Sequence, residues 1–143
     1  MSADIFLDTN VFVYAFDASA PEKRRQALAI INDDSAGEWT VSWQVVQEFS
    51  STALHRFKIP MRPTDLAAYL EVVLWPRCSL FPSPAIYRHA LKIHQETQYR
   101  FFDSLIVASA LATGAKVLYT EDLEHGREIR NLRIQNPFLP QKT

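Results

Sequence analysis

Cysteine is almost missing from this chain. Cys78 is the only one in 143 residues, which excludes an internal disulfide and a thiolate metal cage. Long apolar runs are missing too, and none reaches the roughly 18 to 20 residues needed to cross a bilayer. The opening MSADIFLDTN carries an acid ahead of its first apolar residues, unlike a secretory leader, so a cytoplasmic location is expected. Neither charge sign is in excess. Fifteen Lys and Arg stand against sixteen Asp and Glu, so bulk charge neither announces nor forbids a nucleic-acid partner. His89 and His94 lie five apart, not at the i, i+4 spacing of a helical metal pair, and no dedicated zinc site is expected. Repeats, low-complexity tracts and linkers are also lacking. One domain over residues 1–143, large enough to bury a core, is the expectation.

What is present is organised around FFDSLIVASALATGAKVLYTED, residues 101–122. Leu105 to Ala112 is apolar nearly all round, as in a helix packed deep in a domain. Gly114 follows as a C′ residue able to take the left-handed conformation, and Lys116 to Tyr119 reads as a short strand. A crossover helix of a parallel sheet begins at the C-terminal edge of the strands. Asp103 at the helix start and Asp122 past the strand end therefore share one edge, where open α/β sheets bind ligands.

The rest of the chain repeats the pattern. Ile5-Phe6-Leu7 is a buried-type strand that runs into Asp8-Thr9-Asn10 and an apolar helix, with Asp8 or Asn10 available as its cap. Pro21 opens a second helix with Ala27, Leu28 and Ile31 inward and Lys23, Arg24 and Arg25 on a solvated face. Trp39-Thr40-Val41 is a second strand, and Ser42 caps a third helix bearing Glu48. Thr64 starts a fourth helix, richer in apolar residues than one core stripe requires, that stops at Pro76. A strand near Cys78, a helix after Pro84 and an edge strand over Leu132-Arg133-Ile134 complete the order.

Asp8, Glu48, Asp103 and Asp122 thus all fall near strand–helix junctions on one sheet edge. Each alone reads as a cap or a surface acid. Together they repel, unless some protonate or a cation is shared. All-oxygen ligation suits Mg²⁺ or Mn²⁺, which can activate water and polarise a phosphodiester.

These residues carry a resemblance. IFLDTNVFVYA, Glu48, FFDSLIVASALATGAKVLYTEDLEHG and the closing NPF stand in the order seen in PIN-domain ribonucleases. The chain resembles most closely the VapC-like toxins of type II toxin–antitoxin pairs. The resemblance implies a three-layer α/β/α fold with a four- to five-stranded parallel sheet. It also implies a metal-dependent endoribonuclease that is dimeric and restrained by an antitoxin protein. On this pattern Asp8, Glu48, Asp103 and Asp122 match the acidic quartet, with Asp8, Asp103 and Asp122 as metal ligands. Asn10 and Thr120 match the polar residues that support the metal's water shell. Glu121 is a lesser carboxylate expected to point away. Arg100, Arg127 and Arg130 are candidate RNA contacts near the acidic turn.

Two other classes compete. A PIN-like scaffold that binds RNA or protein without cutting is compatible with the same fold. A Mg²⁺-dependent phosphoryl-transfer domain fits less well. The phosphatase version wants Asp-x-Asp after the first strand, where this chain has Asn10 in the third place.

Overall fold

The computed structural model describes residues 3–140. β1 (Ile5–Leu7) leads into α1 (Thr9–Tyr14) and α2 (Pro21–Asn32), and β2 (Trp39–Ser42) runs directly into α3 (Trp43–His55). α4 (Pro63–Tyr69) passes through a π-helical turn and a 3₁₀ turn into β3 (Cys78–Leu80). The helical hairpin of α5 (Pro84–Thr97) and α6 (Phe101–Ala112) precedes β4 (Val117–Tyr119), β5 (Glu128–Ile129) and β6 (Leu132–Gln135).

The strands form one six-stranded sheet in the order β3-β2-β1-β4-β6-β5. Five of them are parallel, as the sequence leads one to expect, and β5 adds an antiparallel sixth. One reading is corrected: β6 is not an edge strand, because β5 covers its outer side. β1 lies in the middle, with Ile5 to Leu7 all buried. The chain moves from β1 to β2 and β3 on one side, then crosses to β4 on the other. The order therefore reverses between β1 and β4, and open α/β sheets bind ligands beyond the C-terminal ends of strands at such a reversal.

Helices flank the sheet. α1 packs against α2 and α3, α3 against α4, and α5 against α6. Phe12, Phe49, Phe6 and Leu118 are fully buried among these layers. Phe49 meets Phe12, Phe16, Phe57 and Tyr69 in a ring cluster with centroid separations of 5.3–6.3 Å. α6 is buried from Ser104 to Ala110, as an all-apolar helix must be. It ends as its sequence indicates: Gly114 takes φ +80 just after the Thr113 cap.

Some local expectations fail for identifiable reasons. Ser42 has N-cap geometry, but its hydroxyl makes no cap bond and is buried without a partner. α4 starts earlier than expected, with Arg62 rather than Thr64 as its cap and Pro63 at the first position. Its apolar surplus divides. Leu66 and Leu74 enter the core, Tyr69, Leu70 and Val73 pack on it, and Val72 stays 76% exposed. Leu28 faces solvent rather than the core.

Replacing Phe49 by Ala empties a fully enclosed ring site beside Glu48, and large aromatic truncations of that kind cost about 3–5 kcal/mol. Urea unfolding of Phe49→Ala is expected to show that loss. A loss below about 1 kcal/mol would mean that the ring cluster collapses around the gap.

Candidate active site

The surroundings of the β1–β4 reversal are built from Asp8 outward. The Asp8 backbone N–H donates to the Tyr119 carbonyl at 3.0 Å, which ties the ends of the two strands together. Asp8 is buried and both its carboxylate oxygens are engaged. Oδ1 accepts the Thr9 N–H at 2.7 Å as the cap of α1, and Oδ2 accepts the Thr120 hydroxyl at 2.7 Å. The capping reading of this residue holds, and the cap uses only one of its two oxygens. The Thr120 hydroxyl also accepts the Asp122 N–H at 3.1 Å, and Asn10 Nδ2 donates to Asp122 Oδ2 at 3.2 Å. Asp8, Thr120, Asp122 and Asn10 therefore form one continuous chain of hydrogen bonds.

Glu48 and Asp103 arrive from the helix starts. Glu48 lies in the second turn of α3, half-buried, with Oε1 buried and without a hydrogen-bond partner. Asp103 is the third residue of α6 and is also half-buried. Gln44 Nε2 donates to the Phe102 carbonyl at 3.1 Å and pins the first turn of α3 to the first turn of α6. Asn10 Oδ1 is a second buried acceptor left without a partner. Among the described residues no three His, Cys, Asp or Glu side chains close round a common point as a preformed cage.

The sequence matches the PIN domain family over residues 5–128. This chain belongs to the PIN-domain family. No curated protein matches it. Among solved structures, a chain of the VapBC2 complex from Rickettsia felis, bound to a DNA fragment from its promoter, is 21% identical. It has a TM-score of 0.60 and covers 92% of this chain and 97% of that one. A toxin–antitoxin complex from Klebsiella pneumoniae is 17% identical with a TM-score of 0.68, covering 93% and 97%. VapC20 of Mycobacterium tuberculosis, a toxin that cleaves the sarcin–ricin loop, is 18% identical with a TM-score of 0.57, covering 82% and 89%. At such identities the likeness speaks for the fold.

Electrostatics draw the acids of this PIN domain into one system. Burial pushes the Asp8 carboxyl up to about 7, with Asp122 and Glu48 adding to the rise and the Thr120 and Thr9 hydrogen bonds opposing it. Glu48 is raised by burial above all, with Gln44 opposing the rise and Asp103 and Asp122 adding to it. Asp103 is raised by burial and by Asp122, against the nearby Arg100. The donors are all oxygen. Their charge is held back by burial and mutual repulsion, and the buried Glu48 Oε1 and Asn10 Oδ1 stay unpartnered. That set fits a hard divalent cation.

Glu121 points elsewhere, as expected. Its carboxylate accepts the Tyr14 hydroxyl and the Lys23 ammonium, the latter at 2.7 Å, and so ties the acidic turn to α1 and α2. This latch was not readable beforehand, since nothing in the α2 sequence distinguishes Lys23 from its basic neighbours. Gln44 carried no mark either, since α3 also holds Gln47, Ser50, Ser51 and Thr52. The three arginines separate. Arg100 stands beside Asp103. Arg127 bonds Glu124 at 2.8 Å and Tyr99 at 3.2 Å, next to the acidic turn. Arg130 is misplaced by the sequence reading: it sits in the β5–β6 turn, at the end of β6 away from the acidic turn. There it pairs with Glu96 at 2.8 Å and with the His89 ring. Its charge is committed to α5.

An acid whose folded pKa exceeds its unfolded one binds more protons when folded. Between about pH 4 and pH 7, stability therefore falls as pH rises, by an amount on the order of a few kcal/mol for Asp8. Glu48 and Asp103 act with the same sign. In EDTA the thermal midpoint is expected to drop from pH 5 to pH 8, and Asp8→Asn to remove much of that drop by raising the pH 8 value. Parallel curves for the two proteins would show that Asp8 is not the strained charge.

Proposed function

We propose that this PIN domain is a metal-dependent endoribonuclease that hydrolyses RNA phosphodiester bonds, the toxin of a toxin–antitoxin pair. One observation carries the reading. Four separated segments bring Asp8, Glu48, Asp103 and Asp122 near enough for their charges to act on one another. The names of the similar structures support it: two are toxin–antitoxin complexes, and VapC20 is a toxin that cleaves the sarcin–ricin loop.

Asp8, Asp103 and Asp122 are the residues that would hold Mg²⁺ or Mn²⁺. The ion, when bound, would lower the pKa of a water and offset negative charge building on the phosphate. The chain's own residues arrange the rest. Thr120 fixes the Asp8 carboxylate through Oδ2 and the Asp122 backbone through its N–H, so two acids are oriented by one hydroxyl. Asn10 steers Asp122 through Oδ2. Glu48, half-buried in the second turn of α3, would complete the site or orient the water. Burial around Asp8 excludes bulk water and strengthens each of these contacts.

The reading requires an antitoxin partner. Val72, Trp75 and Phe81, all exposed around the turns after α4, provide apolar surface for it. A cytoplasmic homodimer completes the proposal. No helix among the described residues is long and apolar enough to cross a membrane.

Purified protein is expected to cut RNA with Mg²⁺ or Mn²⁺ and not with EDTA. Asp103→Asn should abolish cutting by at least a hundredfold without lowering the thermal midpoint. Equal cleavage by wild type and Asp103→Asn would remove Asp103 from the chemistry.

A further inference from the structure

The turn that carries Asp122 is held by side chains alone. Residues 121–127 lie outside helix and strand. Glu121, Asp122 and Leu123 make no backbone–backbone hydrogen bond among the described residues. Three consecutive side chains anchor the turn instead, each to a different partner. Thr120 donates to Asp8 Oδ2 at 2.7 Å. Glu121 accepts the Tyr14 hydroxyl through Oε1 and the Lys23 ammonium through Oε2, the latter at 2.7 Å. Asp122 accepts Asn10 Nδ2 at 3.2 Å. Asn10 and Tyr14 stand four apart on α1, so one face of that helix meets Asp122 and Glu121 in succession.

The Glu121 contact is more than a surface ion pair. Exposed pairs contribute little. Of the seven ion pairs among the described residues, Lys23–Glu121 has the least exposed carboxylate, at 27%. Its partners are themselves fixed. The Tyr14 ring meets Phe138 edge-on at 4.9 Å. Lys23 Nζ lies 4.7 Å from the centre of that ring and donates to the Tyr14 hydroxyl at 3.1 Å. Both Glu121 oxygens are thus engaged with α1 and α2, while the next residue turns its carboxylate toward Asn10.

We propose that Lys23, Tyr14 and Glu121 are positioning residues for the cation site: they fix the acidic turn against α1 and α2 and so set the placement of the Asp122 carboxylate. The proposal rests on the divalent-cation reading of the acids, which it deepens by naming what holds one ligand in place. The three residues act through Asp122 and not on the reacting atoms. For Lys23, charge alone argues the other way. Removing a cation near clustered carboxylates makes the site more negative and should tighten a divalent ion. Removing a positioning group should loosen it. Lys23→Met separates the two by sign.

The test combines calorimetric titration of the full-length protein with Mn²⁺ and amide hydrogen exchange in EDTA. Groups that orient a metal's ligands are worth about 10- to 100-fold in affinity. These act one peptide bond away, so Lys23→Met is expected to weaken Mn²⁺ about three- to tenfold. Tyr14→Phe, which removes only a hydroxyl and leaves the net charge unchanged, should do the same. In EDTA the Asp122 N–H, bonded to Thr120, should exchange faster in both variants, while the Met61 N–H, bonded to the Ala53 carbonyl, keeps its rate. Arg77→Met breaks the Arg77–Asp34 pair elsewhere and should leave Mn²⁺ affinity unchanged. Equal or tighter binding by Lys23→Met overturns the proposal, as does the same loosening in Arg77→Met. Faster Asp122 exchange in a protein that binds no Mn²⁺ would sink the cation reading and keep the hold on the turn. Mn²⁺ binding by wild type that neither Lys23→Met nor Tyr14→Phe alters would do the reverse.

Discussion

A carboxylate is buried where the central strand of the sheet ends, and the architecture follows from the need to accommodate it. Asp8 closes β1 at the point where the strand order reverses, under helices on one side and β4 on the other. It retains two hydrogen bonds, to Thr9 and Thr120, yet its carboxyl is still pushed up to about 7. The surroundings are arranged about that charge. Thr120 must be a hydroxyl residue to reach both Asp8 and the Asp122 backbone, and Asn10 must be an amide to meet the Asp122 carboxylate with a donor. An enclosed acid beside other acids is a standing electrostatic cost, and a cation relieves it.

The remaining acids are held by the core rather than by one another. Glu48 rides on α3 through Val45, Val46 and Phe49, all buried, so its rotation is set by ring packing. Asp103 marks the place where a fully buried helix emerges at the sheet edge. The Lys23–Glu121 pair and the Tyr14 hydroxyl anchor the turn that carries Asp122. A site assembled this way is precise because each carboxylate belongs to a different rigid element. It is also exposed to damage, since distant core changes reach it through α3 and α6.

Much of this was legible in the residues. Short apolar runs that end in Asp8, Ser42 or Asp122, followed or preceded by apolar helices, specify parallel strands and put the acids on one edge. Gly114 marks its helix end because its left-handed conformation leaves few alternatives. The failures have common causes. Glu128-Ile129 is too short to show alternation, so β6 looked like an edge. Pro76 lacks an N–H, and the chain before it loosens into π and 3₁₀ turns whose exposure no 3.6-residue period describes. Arg130 and Lys23 take partners from distant segments, Glu96 and Glu121, and ion pairing of that kind leaves no local mark. Leu28 matched the inner stripe of α2, yet that helix buries only Ala27 and Ile31.

The central claim is that Asp8, Asp103 and Asp122, with Glu48 beside them, form one divalent-cation site in which Asp8 must give up a proton. Calorimetric titration of the protein with Mn²⁺ at pH 6 and pH 8 addresses it directly. The account predicts stoichiometric binding that is tighter at pH 8, with proton release at pH 6 that disappears in Asp8→Asn. Binding of equal strength at both pH values, or binding untouched by Asp8→Asn, would contradict it.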